Sequence, residues 1–277
     1  MTSSVQLGAW LGEWPGTNSI TAFQTDSCHH LDVVNLYMGW ETPFSDVQPS
    51  LDPVYQNGSQ AMITWQPDGI NTTQISSHST YVTQFADAVK TYGKPIFIRM
   101  MHEMNGNWYA WSIGDSSVNT NDSYKAAWQY IVGIFRQEGA TNAKFVWCIN
   151  VGSVGAGATF TGAYPGDSDV DYVAIDGYNW GTTQSWSSWQ FFHDIFLPAY
   201  QALIGTTQKP IQISEWASTE TGGNKAQWIT DAFNQITTGK FPQISHLIWF
   251  NEKKETGWRI ESSTAAQQAY CNAVKCL

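Results

Sequence analysis

The sequence predicts a single (β/α)8 TIM barrel, a closed ring of eight parallel strands surrounded by helices, and two observations support this. Eight short apolar runs recur along the 277 residues, and near-continuous hydrophobicity is typical of parallel strands that are covered on both faces. Longer segments with helical periodicity separate most of these runs, which indicates an α/β fold. No linker, repeat or low-complexity segment divides the chain, so we expect one domain over residues 1–277.

The predicted elements follow one another in a regular order. The strands are LGAWLG (7–12), LDVVNLYMGW (31–40), AMITW (61–65), KPIFIRMM (94–101), AKFVWCIN (143–150), VDYVAIDGY (170–178), KPIQISEW (209–216) and ISHLIWFN (244–251). The helices are predicted over 19–26, 79–93, 122–139, 189–205, 224–239 and 263–274. Several of these helices begin after a capping residue and end at a glycine, as the helix over 122–139 does.

Two crossovers are less regular. The segment 45–58 contains two prolines and the segment 153–169 is rich in glycine, so both are predicted to be loops with at most a short helix. A doubly wound open sheet is the alternative architecture. It is less favoured, because GEWPGTNS (12–19) after the first strand does not match the G-x-G-x-x-G phosphate loop.

The composition restricts the class of ligand. The formal charge of −10 and the pI near 4.9 argue against nucleic acid as a partner, because such binding depends on clustered Lys and Arg. No apolar run approaches the roughly 18 residues that a membrane helix needs. We therefore expect a neutral ligand and no membrane partner. We also predict a monomer that holds no metal or cofactor.

The four cysteines suggest an oxidising compartment. Cys28, Cys148, Cys271 and Cys276 fit no zinc-binding spacing, and CNAVKC (271–276) is short enough for a local disulfide. Four buried free thiols are the alternative. The opening MTSSVQ is interpreted as the start of a chain from which a signal peptide has been removed. Together these features favour an extracellular protein.

Two glutamates are predicted to meet at the mouth of the barrel, where functional groups lie in this fold. Glu103 follows the fourth strand, and alternation would put it on the same side as Arg99 and Met101. Glu215 ends the seventh strand, on the same predicted face as Ile211 and Ile213. Two carboxyl groups at one mouth are the arrangement that glycoside hydrolysis needs. The alternative for each is a structural carboxylate bound to a backbone N–H or an arginine.

Aromatic side chains near the strand ends support a sugar-binding cleft, because the apolar faces of pyranose rings stack on such rings. They are Trp10, Trp14, Trp40, Trp65, Trp108, Tyr109, Trp111, Tyr178, Trp180, Trp216 and Trp249. Other chemistries find less support. His102-Glu103 lacks the second histidine of the zinc motif H-E-x-x-H, and no G-x-S-x-G elbow is present.

The segments HEMNGNWYAW (102–111) and ISEWA (213–217) resemble glycoside hydrolase family 26, a family of retaining β-glycanases on (β/α)8 barrels. The resemblance implies that Glu103 is the acid/base and Glu215 the nucleophile. It also implies that His102 positions these carboxylates and that Tyr178 hydrogen-bonds the nucleophile. Further substrate contacts that it suggests are Trp108, Trp249, Trp258 and Arg259. Tyr109, Trp111, Trp180 and Trp40 are predicted as contacts from their positions near the strand ends. Retention predicts a separation of about 5–5.5 Å between the two carboxyl groups.

The resemblance leaves the polysaccharide open. The NWYAW segment (107–111) is more similar to the mixed-linkage β-1,3-1,4-glucanases of the family, whereas most members act on β-1,4-mannan. We expect an endo-acting enzyme with a slight preference for mixed-linkage glucan, and mannan as the alternative. A non-catalytic carbohydrate-binding barrel is a further alternative, although a binding protein does not need both glutamates.

Overall fold

The computed structural model describes residues 5–277, except for the side chain of Cys276, and these residues form the predicted barrel. Eight strands in sequence order make a closed ring in which every neighbouring pair is parallel. They are β1 (Gln6–Trp10), β2 (Val33–Gly39), β3 (Gln60–Gln66), β4 (Ile96–Met100), β5 (Ala143–Asn150), β6 (Tyr172–Asn179), β7 (Ile211–Ser218) and β8 (Ile244–Phe250). The barrel prediction is confirmed.

The helices lie outside the ring. They are α1 (Thr17–Ser27), α2 (Phe44–Gln56), α3 (Ser79–Tyr92), α4 (Asn121–Glu138), α5 (Phe192–Ile204), α6 (Lys225–Thr237) and α7 (Thr264–Ala273). All six predicted helices are present. None of the helices within residues 5–277 is long and apolar enough to cross a membrane.

The prediction of a loop after the second strand is wrong. Helix α2 has 13 residues and contains Pro49 and Pro53. Its buried positions, Phe44, Val47, Leu51 and Val54, recur with helical spacing and form one apolar stripe. Packing of this stripe stabilises the helix despite the backbone donors that the prolines lack.

The other irregular crossover is a loop, as predicted. In the part of the chain that the structure describes, β5 and β6 are joined without an α-helix, and only a short 3₁₀ turn at Asp167–Asp169 interrupts the loop. This leaves residues 151–166 beside the carboxyl end of β5.

The inside of the ring is a packed core with a polar layer above it. Side chains of Met62, Phe97, Val146 and Ile248 form an apolar cluster in the barrel. Arg99 lies two residues after Phe97, is fully buried, and contacts side chains from β3, β6 and β7. The interior is therefore filled, and the chemistry lies at the carboxyl ends of the strands.

The disulfide differs from the predicted one. Cys271 is bonded to Cys28, 243 residues away, so the pairing of Cys271 with Cys276 is wrong, and so is the alternative of four free thiols. The side chain of Cys276 lies outside the described residues, as do the first four residues of the expected mature start. The disulfide links the end of α1 to α7, because closing the ring brings the first and last helices together.

Removing this disulfide is expected to lower the free energy of unfolding by about 2–5 kcal/mol, since it closes a very long loop in the unfolded chain. The measurement is urea unfolding of the Cys28→Ser/Cys271→Ser double variant against the wild type. A reducing agent should destabilise the wild type by a similar amount and leave the double variant unchanged. Equal midpoints for wild type and double variant would contradict the prediction.

Candidate active site

The turn after β4 has an unusual backbone. The strand ends at Met100, and Met101 and Glu103 on either side of His102 have positive φ angles of 45° and 54°. Such angles are costly for residues other than glycine and recur at functional sites. The predicted alternation of Arg99, Met101 and Glu103 along one strand face is therefore wrong, and a turn directs Glu103 instead.

Three hydrogen bonds stabilise this strained turn. The Tyr124 hydroxyl on α4 donates to the Met101 carbonyl at 2.8 Å, and the Trp111 indole donates to the His102 carbonyl at 2.8 Å. The Glu103 amide donates to the Cys148 carbonyl of β5 at 2.9 Å. The turn is thus held from the helix, from its own loop and from the neighbouring strand.

The Glu103 carboxyl accepts one hydrogen bond at each oxygen. Asn150 at the end of β5 donates to Oε1 at 2.9 Å, and the Trp108 indole donates to Oε2 at 2.7 Å. The buried Asn105 amide joins the two loops, because it donates to the Asn150 carbonyl and accepts from the Asn150 amide. A side chain at Gly106 would lie 2.4 Å from the Trp108 ring, so glycine is required there for Trp108 to reach Glu103.

The surroundings of Glu103 favour its protonated form. Burial, followed by repulsion from the Glu215 carboxylate, raises its pKa from 4.5 to about 7, although Asn150, Trp108 and Arg99 oppose the shift. A carboxyl group with this pKa can carry a proton near neutral pH and release it during a reaction.

Glu215 reaches the site because β7 contains an irregularity. Ile175 of β6 pairs with Ile213, but the next residue, Asp176, pairs with Glu215, so Ser214 is an extra residue in β7. This bulge inverts the alternation. The prediction that Ile211, Ile213 and Glu215 share a face is therefore wrong, because the pairing with Asp176 puts Glu215 on the inner face with Arg99.

Both oxygens of Glu215 accept hydrogen bonds. The Arg99 guanidinium donates to Oε1 and the Tyr178 hydroxyl donates to Oε2. Arg99 is itself held by Asp176 at 2.5 Å and by the Thr64 hydroxyl at 3.0 Å. Burial and then the Glu215 carboxylate raise the pKa of Tyr178, which keeps its proton available for donation. Charge-assisted donors of this kind stabilise a carboxylate.

His102 lies beneath the site as a neutral ring. Burial, followed by the positive charges of Arg99 and Lys254, lowers its pKa well below the usual value, and its Nε2 lies 3.0 Å from the Tyr109 hydroxyl. Possible ligand atoms of His102, Asp176 and Glu215 lie within 4.8 Å of one another. However, Arg99 already donates to both carboxylates, so a metal ion would have to displace a guanidinium. The expected absence of a metal stays a prediction.

A cleft of about 900 Å³ opens above Glu103 and Glu215. Its aromatic lining consists of Trp10, Tyr37, Trp108, Tyr109, Tyr178, Trp180, Trp186, Phe250 and Trp258. Its polar lining includes Gln66, Asn150, Ser153, Gln190, Asp194, Glu252, Lys254 and Glu255. Rings with interleaved amides and carboxylates are suited to a polyhydroxylated ligand.

The structure brings five of the ten predicted contact residues to this cleft: Trp108, Tyr109, Tyr178, Trp180 and Trp258. They differ in exposure. Trp108 is 47% exposed, whereas Trp258 is 1% exposed and contributes only an edge. Trp108 thus combines a contact to Glu103 with a large face that is open to a ligand.

The other five do not line the cleft. The predicted substrate contact of the four buried residues is corrected, whereas that of the exposed Arg259 stays a prediction. Trp111 is fully buried, stacks on Tyr109 and supports the turn. Trp40 packs against Trp65, and Trp249 packs against Trp216 on the helix side of the barrel. Arg259 is exposed beside Glu261. His102 is buried under Tyr109, and its predicted role in positioning the carboxylates stays a prediction.

Several residues of the site were missed by the sequence reasoning. Asp176 and Asn150 follow apolar runs at strand ends, and that position was a usable signal. Arg99 lies within an apolar run, and the sequence gives no sign that its guanidinium binds Asp176 and Glu215. Trp186 and Gln190 come from the long loop after β6, where nothing in the sequence indicates which residues return to the cleft.

Comparison with known proteins identifies the family. The sequence model of glycosyl hydrolase family 26 matches residues 28–231. The chain belongs to glycosyl hydrolase family 26. The match includes both segments on which the resemblance was based.

The relatives of this family 26 chain include glucanases and mannanases by name. It is 50% identical to Endoglucanase H of Acetivibrio thermocellus over 276 residues, which are 98% of the chain and 30% of that protein. It is 24% identical to a mannan endo-1,4-beta-mannosidase of Bacillus subtilis over 193 residues, which are 67% of the chain and 46% of that protein. The chain thus spans less than half the length of either relative.

Solved structures of family 26 mannanases share the fold. The β-mannanase BoMan26A of Bacteroides ovatus superimposes with a TM-score of 0.71 at 15% identity, over 99% of this chain and 89% of that one. The catalytic domain of an endo-β-1,4-mannanase from Bacillus sp. JAMB-750 gives 0.69 at 17% identity, over 98% and 85%. At such identities the likeness concerns the fold alone.

Proposed function

We propose that this chain is the catalytic domain of a retaining endo-β-glycanase. One observation carries the proposal: Glu103, whose pKa is raised to about 7, shares a ring-lined cleft with Glu215, whose carboxylate accepts from Arg99 and Tyr178. One carboxyl group is suited to donating a proton and the other to attacking carbon. Such a pair is what double displacement requires.

In the first step, Glu215 attacks the anomeric carbon of the sugar that lies above it, while the Glu103 proton passes to the leaving glycosidic oxygen. The bond from the anomeric carbon to this oxygen breaks and a bond to Glu215 forms. The Trp108 and Asn150 hydrogen bonds keep the Glu103 carboxyl oriented. Arg99 and Tyr178 orient the nucleophile.

In the second step, Glu103 acts as the base. Formation of the glycosyl ester removes the negative charge of Glu215, and with it the repulsion that raised the pKa of Glu103. Glu103 is then a carboxylate that accepts a proton from water as the water oxygen bonds to the anomeric carbon. The ester bond from this carbon to Glu215 breaks at the same time, which regenerates the Glu215 carboxylate and leaves Glu103 protonated for the next cycle. Two inversions give net retention.

We infer that the substrate is mixed-linkage β-1,3-1,4-glucan, cleaved at β-1,4 bonds. The WYAW segment (108–111) and the 50% identity to a protein named Endoglucanase H support this choice. β-1,4-Mannan is the second candidate, and the similarity to proteins named mannan endo-1,4-beta-mannosidase favours it. We further propose that the enzyme is secreted and monomeric.

The test is release of reducing ends from lichenan, barley β-glucan, glucomannan and galactomannan. We expect rapid release from the two glucans and little from galactomannan. Preference for galactomannan would support the mannanase alternative. Binding without release from any of the four would contradict the proposed hydrolysis and support a carbohydrate-binding barrel.

The pH profile should follow the proton of Glu103. Its protonated form is the acid, so kcat/KM is expected to fall above a pH of about 7, by about tenfold per pH unit once the group is ionised. Asn150→Ala removes a hydrogen bond that lowers this pKa, and its alkaline limb should therefore move to higher pH. A limb that stays in place or moves to lower pH would contradict the assignment.

The stability of a Glu103→Gln variant gives an independent measurement. The unfolded glutamate titrates near 4.5 and the folded one near 7, so ionisation destabilises the folded wild type progressively between these values. We expect the free energy of unfolding of the variant, relative to wild type, to rise over this window and then level off. A pH-independent difference would show that burial does not raise the pKa of Glu103.

A further inference from the structure

We propose that Lys225 is a positioning residue that holds the loop after β8, and through it the Trp258–Trp180 wall of the cleft. Lys225 begins α6 and is outside the cleft lining. The inference concerns substrate contact, so it rests on the proposed function, and its test separates the two.

The ammonium group of Lys225 is buried among backbone carbonyls. Its Nζ lies 3.1, 3.2 and 2.7 Å from the carbonyl oxygens of Gly257, Trp258 and Arg259, and 2.9 Å from the Ser262 hydroxyl oxygen. Four acceptors thus share its three N–H donors. Lys225 is fully buried. A buried lysine is rare unless it is paired, and here successive carbonyls of a single loop surround its charge.

This loop has little regular structure of its own to hold it. Between β8 and the 3₁₀ turn at Ile260–Ser262, the described hydrogen-bonded pairing is an isolated bridge between Lys253 and Gly257. The Trp249 indole also donates to the Trp258 carbonyl at 3.0 Å, and Lys225 Nζ lies 5.7 Å from the Trp249 ring. Lys225 therefore supplies the largest set of side-chain bonds to residues 257–262.

The held segment forms part of the cleft wall. The Trp258 ring lies edge-on to Trp180 at 4.9 Å and beside Tyr178 at 5.0 Å. Tyr178 donates to Glu215, and Trp180 lines the cleft with Trp258. A shift of residues 257–259 would thus move the surface that faces a sugar above Glu215.

Substitution of this lysine leaves several groups without partners. In Lys225→Met the methylene chain is largely retained, but the loop carbonyls lose their donor in a buried setting. The nearby carboxylates of Glu220 and Glu261 lose the positive charge that they face. Glu103, Arg99 and their hydrogen bonds are not touched by the change.

We expect Lys225→Met to lower kcat/KM by about 10- to 100-fold, because a small misplacement remote from the reacting atoms has effects of this size. The loss should appear mainly as a higher KM. Lys125→Met on α4 is the matched control, because it also removes a lysine, and the described ion pair of Lys125 is with Asp122 at the surface. This variant should retain wild-type kinetics. If the whole loss in kcat/KM came from a lower kcat, with KM unchanged, the inference would be overturned.

A double-mutant cycle tests the route of the effect. If Lys225 acts through the Trp258 ring, Lys225→Met should change kcat/KM by less than about threefold in a Trp258→Ala background, because coupled residues are not additive. Additive losses would contradict that route.

Ser262→Ala is the alternative variant if Lys225→Met fails to fold. It removes one acceptor of Lys225 and should raise KM in the same direction but less strongly. An unchanged KM would then overturn the inference.

Hydrogen exchange separates this inference from the proposed function. Lys225→Met should increase amide exchange within residues 251–262 and leave β4 and β7 unchanged, whether or not the protein hydrolyses any polysaccharide. Unchanged exchange in this segment would overturn the holding role even in an active enzyme. If the variant shows increased exchange but the wild type hydrolyses none of the four polysaccharides, only the proposed hydrolysis is contradicted.

Discussion

Replacement of Glu215 by alanine is expected to lower kcat by more than about 10⁴-fold, because the variant lacks the nucleophile that forms the covalent intermediate. The side chain is also the acceptor for Arg99 and Tyr178, so the vacated site retains donors that can receive a small anion. Added azide should therefore attack the anomeric carbon directly. For a β-linked activated substrate, the product is the α-glycosyl azide.

Glu255→Ala is the matched control for the loss of a cleft carboxylate. Glu255 lines the same cleft and accepts from the Trp258 indole, but it has no described contact with Arg99. We expect its kcat to stay within about tenfold of wild type. Comparable losses for Glu215→Ala and Glu255→Ala would contradict the assignment of the nucleophile.

Replacement of Glu103 by alanine is expected to lower kcat on polysaccharide by about 10²–10⁴-fold, the usual contribution of general acid–base catalysis. An aryl glycoside with a good leaving group does not need the proton, so its first step should remain fast. The intermediate should then accumulate, because no base activates water. Azide needs no deprotonation and should restore turnover with formation of the β-glycosyl azide.

The two azide products distinguish the two roles. The same anomer from both variants, or no rescue of either, would contradict the division of roles between Glu103 and Glu215. Retention itself is tested by the anomer that the wild type releases first. Release of the α-anomer from a β-linked substrate would contradict double displacement.

The sequence predicted where Glu103 and Glu215 lie, but it did not predict the backbone features that put them there. Strand order was enough to bring the ends of β4 and β7 to one mouth, since parallel strands of a barrel all end on the same side. Simple alternation was the wrong argument for both residues. Glu103 follows a turn with two positive φ angles, and Glu215 follows a bulge at Ser214.

The tryptophans show why the substrate contacts were harder to predict. Trp108 and Trp111 are three residues apart in one loop, yet one is 47% exposed in the cleft and the other is fully buried. Trp249 lies near the end of a strand as expected, but its ring packs against Trp216 and the helices. An aromatic residue near a strand end can fill the core or face a ligand, and the sequence alone carries no signal that separates the two.

The order of apolar runs and helical segments was sufficient to determine the barrel, its single ring of strands and the meeting of Glu103 with Glu215, because these follow from local periodicity and parallel topology. Only the tertiary structure shows that Cys28 pairs with Cys271, that α2 forms despite its two prolines, and which side chains bind each carboxyl group. Arg99, Asn150 and Lys225 form hydrogen bonds with residues that lie 116, 47 and up to 37 positions away from them in the sequence. Such contacts depend on how distant segments pack, and packing is a property of the whole chain.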